Sequence, residues 1–400
     1  MNGKLQPSRK IIILAHYCGD LDGRYSNRFV YIASLLSKVY DVELITSNFY
    51  HTKKVHKTQT GHYPFKVTLI NEKGYKKNVG IKRIISHWIF SKNVSKYLRK
   101  LTDIDLVYVG FPSLSLAEVA FSYSFKINKP LIVDVQDLWP EAFENRLKGN
   151  SLGSVIYKYL EKKVYNIYSH ASHIVTVSDT FLKKIENKTE IKSSNVTYIG
   201  TLWESKILAT KSDNKTLITI VYLGSLGESY DLKMAIDAYE IAKTLIDTDI
   251  SLEFKIIGDG QERKKLQLYS DELNSDVQFM GLMTHNQVQE LLPLCDIAIN
   301  PIVTWSVASI INKHADYALA NLPVVNSQSN EEYRELLEHY NCGINTVPGD
   351  NKSMAIAISK LTADQELRAL MSKNALRLAN EKFNRFNTYP HLVKTISNLL

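Results

Sequence analysis

Lys313 and Asp316 are the residues whose types and spacing best suit chemistry on a charged ligand. Positions 309–325 read as a helix running into a strand, and residues three apart share one helix face. Near the helix start, where the dipole attracts anions, Lys313 can reach a diphosphate. Asp316, one turn deeper, can accept hydrogen bonds from ribose hydroxyls. The plain alternative is an i,i+3 surface ion pair. A second candidate is Asp137, which ends the strand pattern 130–137 and is followed by Trp139, Pro140 and Glu141. A carboxylate at a strand tip can face a ligand; it can also simply cap the following segment.

Glycine loops supply the next group. Gly224, Ser225, Leu226 and Gly227 follow one strand pattern and precede a helix that begins near Asp231. Backbone N–H groups in such a loop can cradle a phosphate. Gly258 and Gly260 end the next strand pattern, and Gly281 with Leu282 the one after. Three successive strands ending in glycine say more than any single instance. Gly19 and Gly23 lie in the loop after the first strand pattern, ahead of a helix containing Arg28. That loop reads either as a close approach of backbone to ligand or as an ordinary turn. Asp20 and Asp22 have the spacing of a metal-binding carboxylate pair. The same spacing recurs at Asp103/Asp105 and Asp247/Asp249, so it is a cheap pattern, and no metal is expected.

The elements that must hold these residues alternate along the whole chain. Strand patterns occupy 10–16, 41–47, 65–70, 105–110, 130–137, 173–179 and 196–200, then 217–225, 252–258, 277–281, 296–302, 323–327 and 343–347. Helical patterns such as 29–36 and 234–246 fall between most of them. Near-continuous Val/Ile strands joined by helices predict parallel sheets covered on both faces. The series pauses at a polar stretch, 204–215, which reads as a linker. The prediction is two Rossmann-like domains, 1–203 and 216–385, with the cleft between them as the default ligand site.

The 400 residues suit two domains, and 44% hydrophobic with 22% charged is globular composition. Three scattered cysteines, Cys18, Cys295 and Cys342, argue against a disulfide framework and fit a reducing compartment. The apolar run 11–15 is too short for a signal core, and no stretch reaches a bilayer-spanning length. A cytoplasmic protein is expected. The net charge of +8 calls for an anionic partner. Much of it sits in 76–100, which holds eight Lys/Arg and no acid, with Ile81, Ile84, Ile85, Trp88 and Ile89 at helical spacing. A basic amphipathic helix of this kind predicts binding to an anionic membrane surface; the other reading packs the apolar stripe on the sheet. Nucleic acid is not expected, since no recognition motif is present.

Taken in order, the loop with Gly19 and Gly23, and then 134–141, 175–178, 222–227, 257–260, 277–281 and 312–325, resemble the motifs of a GT-B glycosyltransferase of family 4, in the branch that builds bacterial surface polysaccharides. Residues 386–400 resemble the helix that crosses back to the first domain in that fold. The resemblance implies a retaining, metal-independent transfer from a nucleotide-sugar donor, expected to be a UDP-sugar, to a lipid-linked saccharide or glycan acceptor at the inner face of the membrane. It needs no cofactor beyond the donor. It places the donor on Gly224, Ser225, Leu226, Gly258, Gly281, Leu282, Asn312 and Asp316, assigns Lys313 to the departing diphosphate and Asp137 to catalysis, and gives Gly19 and Gly23 to the binding loop. The chain departs from the family at Ala308, where Glu is frequent, at Gln136, where His is frequent, and after the phosphate loop, where Glu228, Ser229, Tyr230 and Asp231 replace a basic pair. A sugar-nucleotide epimerase of the same architecture and an inactive partner subunit are the alternatives.

Overall fold

The computed structural model describes residues 9–19, 21, 27–57, 61–77, 80–203, 216–247, 249–306 and 309–400, without the side chains of 145 and 146. Gly23, Asp20, Asp22, Ala308 and the linker 204–215 lie outside the described residues. The chain divides into two compact units, one of 1–198 with 389–400 and the other of 199–388. The chain thus changes unit at Tyr198/Ile199, and rejoins the first unit at Tyr389.

The first unit is built on β1 (Lys10–Ala15), β2 (Asp41–Ser47), a small antiparallel hairpin β3 (Phe49–Tyr50) and β4 (Val55–His56), β5 (Lys66–Ile70), β6 (Ile104–Phe111), β7 (Leu131–Val135), β8 (His173–Thr176) and β9 (Ser194–Val196). All but the hairpin form one parallel sheet in the order β5-β2-β1-β6-β7-β8-β9. Its helices are α1 (Arg28–Leu36), α2 (Ile81–Leu98), α3 (Leu114–Ile127), α4 (Glu144–Leu147), α5 (Ser151–His170) and α6 (Asp179–Glu186). The central strands are buried along nearly their whole length, as a sheet covered on both faces requires. Phe90, Val94 and Leu98 of α2, Leu116, Ala117 and Ala120 of α3, and Val164 and Tyr168 of α5 form one core with the strands.

The second unit carries β10 (Leu217–Leu223), β11 (Ser251–Ile257), β12 (Gln278–Gly281), β13 (Ile297–Asn300), β14 (Val324–Asn326) and β15 (Gly343–Asn345) in the parallel order β12-β11-β10-β13-β14-β15. Between and after them run α7 (Leu232–Lys243), α8 (Arg263–Glu272), α9 (His285–Leu291), α10 (Asn312–Leu319), α11 (Glu331–Tyr340), α12 (Asn351–Ala363) and α13 (Gln365–Leu378), and then α14 (Arg385–Asn398), which belongs to the first unit from Tyr389 on. Tyr222, Leu226, Tyr239, Phe254 and Ile299 lie in its core.

Each expected strand has a counterpart, but the one read at 196–200 lies earlier, at Ser194–Val196, with 197–200 in the loop that follows. The reading of 130–137 and 173–179 as strands runs past the observed ends, because Gln136, Asp137 and Ser178 belong to the loops that follow. In each sheet the chain first steps one way from a central strand and then crosses to its other side, β1 to β6 and β10 to β13. Such a switch point leaves a crevice at the carboxyl ends of the two strands, where open α/β sheets take their ligands.

Candidate active site

The switch point of the second unit brings together most of the predicted donor residues. The loop leaving β10 folds over the loop leaving β13: Tyr230 bridges Ile302, and the Asp231 N–H donates to Pro301 O at 2.9 Å. Asp231 then caps α7 by accepting from the Met234 N–H. Tyr317 on α10 ties the two strands, accepting from the Leu223 N–H at 2.7 Å and donating to Ile299 O at 3.2 Å.

The three glycine loops interlock. The Gly224 N–H donates to Ile257 O at 2.9 Å, the Leu226 N–H to Asp259 O at 3.0 Å, and the Gly258 N–H to Gly281 O at 2.8 Å. Gly224 has φ 150° and Gly258 φ 137°, and a Cβ on Gly258 would lie 1.8 Å from Gly224 O; only glycine fits there. The amides of Gly224 and Leu226 are therefore engaged in holding the loops. Among the described residues, those of Ser225 and Gly227 have no backbone partner. Ser225 and Leu282 are exposed at the rim, and so is Asn312 at the start of α10.

Lys313, in the first turn of α10, is only 6% exposed, and its Nζ has no hydrogen-bond partner among the described residues. The ammonium sits between two rings, 4.0 Å from the centroid of Tyr222 and 3.9 Å from that of Tyr230. A Cβ on Gly224 would come within 2.9 Å of this Nζ, so the lysine lies directly against the bare backbone of the loop. Burial holds its pKa well below the usual lysine range, since desolvation disfavours the charged form. Asp316 makes no ion pair with Lys313 among the described residues. Burial raises its carboxyl to about 7, opposed by Arg385. The surface-pair alternative for 313 and 316 is thereby removed. A cation buried without a counter-charge, at a helix N-terminus and beside a glycine loop, has a ready partner in a bound anion. Tyr222 and Tyr230, which make the cation's berth, carried no signal in the sequence as a pair.

In the first unit, Gly19 has φ 55° in the loop after β1. Asp137 stands two residues beyond β7, reachable by solvent, while partial desolvation raises its pKa against hydrogen bonds from the Trp139 indole and the Leu138 amide. The neighbouring acids are structural. Asp134 on β7 is fully buried and accepts from Arg28 and Tyr108. Glu141 accepts from Tyr165 at 2.6 Å and from Lys188 at 2.7 Å.

Residues 218–364 match the family model described as glycosyl transferases group 1. None of the curated proteins compared is detectably similar in sequence. Among solved structures, the chain is similar to sucrose-phosphate synthase from Thermosynechococcus elongatus, with TM-score 0.72 and 13% identity over 98% of this chain and 99% of that one. It is similar to HepE of Anabaena in complex with UDP-glucose, with TM-score 0.65 and 16% identity over 97% and 99% of the two chains. WaaG, a glycosyltransferase involved in lipopolysaccharide biosynthesis, gives TM-score 0.66 and 14% identity over 97% and 99%. The fold is GT-B.

The first unit of this GT-B chain has a second polar centre at its own switch point. His16, at the end of β1, pairs with Glu72 at 3.0 Å, and Glu72 also accepts from Ser47 and Ser86. With His87 of α2 these residues offer ligand atoms within 4.8 Å of one another. The Arg83 Nε, however, is 3.4 Å from the His87 Nε2, and Arg83 also donates to Tyr17. A guanidinium at that distance repels a divalent ion, so the trio reads as a buried hydrogen-bond network. It also decides which side of α2 faces inward: Ser86, His87, Phe90 and Ser91 are buried, while Ile81 at 75% and Trp88 at 58% are exposed along with Ile84 and Ile85. The expected helix thus keeps its apolar stripe in solvent, and the packing of that stripe on the sheet is excluded. No helix among the described residues is long and apolar enough to cross a membrane.

Proposed function

We propose that this GT-B chain transfers a sugar from a nucleotide-diphosphate donor, a UDP-sugar, to a lipid-linked or surface-glycan acceptor, with retention and without a metal. The observation that carries the proposal is the ammonium of Lys313, buried, unpartnered and pressed against the Gly224 loop. Its desolvation is unfavourable while the site is empty and becomes an advantage when a diphosphate arrives, because an ion pair in a dry site is strong. As the sugar–phosphate bond breaks, charge grows on the departing phosphate, and a fixed cation already in place stabilises that charge without reorganisation. Asp316 takes the ribose hydroxyls, and Asp137 works at the acceptor side. The match of 218–364 to group 1 glycosyl transferases and the UDP-glucose bound by HepE support the donor class.

The same reading assigns the acceptor to a membrane. The solvent-facing stripe of α2 supplies insertion, and Lys82 and Lys92 beside it supply attraction to anionic lipid. The protein then works at the cytoplasmic face.

The test is hydrolysis and binding by the purified chain against a panel of nucleotide sugars, with thermal shift as the binding readout. UDP-sugar turnover that survives EDTA and disappears in Lys313→Ala is the expected result. Binding without turnover would favour an inactive partner subunit, and turnover that needs metal would overturn the metal-free mechanism.

A further inference from the structure

Helix α5 carries a second apolar stripe that no described residue of the unit covers. Leu152, Val155, Ile156 and Tyr159 fall at i, i+3, i+4 and i+7, the spacing of one helix face. All four are exposed, Leu152 at 71% and Val155 at 64%. The four exposed residues of α2 have the same spacing, 81, 84, 85 and 88. The topology puts the two stripes at one edge. Both helices follow strands of the parallel sheet, β5 and β7, and so begin at its carboxyl edge. Both pack against the intervening α3 and share one core with it, so they lie on the same face of the sheet. In each helix the exposed stripe occupies the first two turns, so the two patches stand at one level on either side of α3.

Charge accompanies both patches. Lys82 and Lys92 flank the first, with the Lys92 Nζ 5.0 Å from the Trp88 ring centroid; Lys158 and Lys162 flank the second. None of these four lysines makes an ion pair among the described residues. Residues 81–100 contain no acid, and the one acid of α5, Glu161, is ion-paired with Lys188.

We infer that α2 and α5 form one two-helix platform that lies on an anionic lipid bilayer. This deepens the membrane reading given above and rests on it. The partner follows from the chemistry: two parallel apolar stripes bordered by unpaired lysines suit a surface that is apolar below and negative at its rim. Two stripes also define a plane where one helix defines only a line. Contact through both fixes the tilt of the unit.

The experiment uses the full chain and vesicles of phosphatidylcholine with phosphatidylglycerol at low salt, with pure phosphatidylcholine as the control. Four serine substitutions at 152, 155, 156 and 159 change exposed positions only and should leave the melting temperature unchanged. They are expected to cut sedimentation with the anionic vesicles at least tenfold, as much as serine at 81, 84, 85 and 88. Lys158→Gln with Lys162→Gln should weaken binding about fivefold per lysine. Because Cys18, Cys295 and Cys342 are all buried, Leu152→Cys can carry an environment-sensitive dye, which should shift to the blue on anionic vesicles only. Full binding by the α5 serine variant, with loss in the α2 variant, overturns the platform and leaves the α2 reading standing. Absence of binding by the unaltered protein overturns both. A dimer in solution that the α5 substitutions dissociate, with vesicle binding unchanged, identifies a second copy as the occupant and overturns the inference.

Discussion

The two units place a basic residue in the first turn of a helix at the carboxyl edge of their sheets, and treat it in opposite ways. In the first unit, Arg28 opens α1 and is saturated. It donates to both oxygens of Asp134, at 2.7 and 3.2 Å, to Thr197 O at 3.0 Å and to Tyr389 Oη at 2.8 Å. In the second, Lys313 is equally inaccessible and has two aromatic faces and, among the described residues, no acceptor. Asp134 and its other partners raise the pKa of Arg28 despite burial, whereas burial alone lowers that of Lys313. A satisfied buried cation holds structure. An unsatisfied one is a stored preference for a ligand, kept at a cost in stability. The acids repeat the contrast about one strand end: Asp134, on β7, is consumed by Arg28, and Asp137, in the loop beyond it, is open to solvent.

This contrast can be broken at six positions. The largest effect is expected at Arg28→Met, which leaves Asp134 buried without its partner and should cost about 3–5 kcal/mol, seen in denaturant unfolding. A variant as stable as the parent would remove the structural role. Lys313→Met should do the reverse, lowering donor turnover by roughly a hundredfold or more while raising the melting temperature. A fall in both would place Lys313 with Arg28. Next is Tyr230→Leu, which removes one face of the cation's berth and should weaken UDP binding about tenfold, whereas Tyr230→Phe keeps the ring and should bind nearly as the parent does. Equal losses in the two variants would transfer the effect to the hydroxyl. Asp137→Asn should lower turnover several-fold with unfolding unchanged, and Asp134→Asn should do the opposite; if Asp137→Asn also destabilises, Asp137 is a cap.

The smallest effect is a slope with pH. The Asp316 carboxyl ionises at about 7 in the folded chain and near 3.8 in an unstructured one. Between those values the folded state holds a proton that the unfolded state has released, so this group lowers stability as pH rises from 4 to 7. Asp316→Asn removes the slope, and the stability of the variant relative to the parent should climb across that window. A flat difference would show that the carboxyl is not buried enough to be perturbed.

Much of this architecture was legible in the sequence, for a simple reason. A strand buried on both faces must be apolar along its length, so β1, β7, β10 and β13 announce themselves, and the glycines that end β10, β11 and β12 mark where backbone must approach backbone. What escaped were contacts between distant positions. His16 and Glu72 are 56 residues apart, and no local pattern joins them. The same holds for Tyr230 and Lys313. Tyr230 stood only as a departure from a basic pair, and its role appears once the β10 and β13 loops are seen to fold together. The hairpin β3–β4 has strands of two residues each, too short for alternation to register. On α2 the apolar stripe was read correctly, but whether it faced sheet or solvent was decided by Ser86, which serves the buried Glu72.

Helix α14 bears on the order in which the molecule comes into being. From Tyr389 onward it belongs to the first unit, with Tyr389, Leu392 and Ile396 fully buried and Tyr389 bound to Arg28. A ribosome therefore delivers the whole of 199–388 before the first unit receives its last layer, a wait of roughly ten to forty seconds at bacterial and eukaryotic rates of elongation. Throughout that interval the nascent first unit has an unfilled groove along α1, beside an arginine whose set of acceptors is incomplete. The second unit is one continuous stretch and has no such debt.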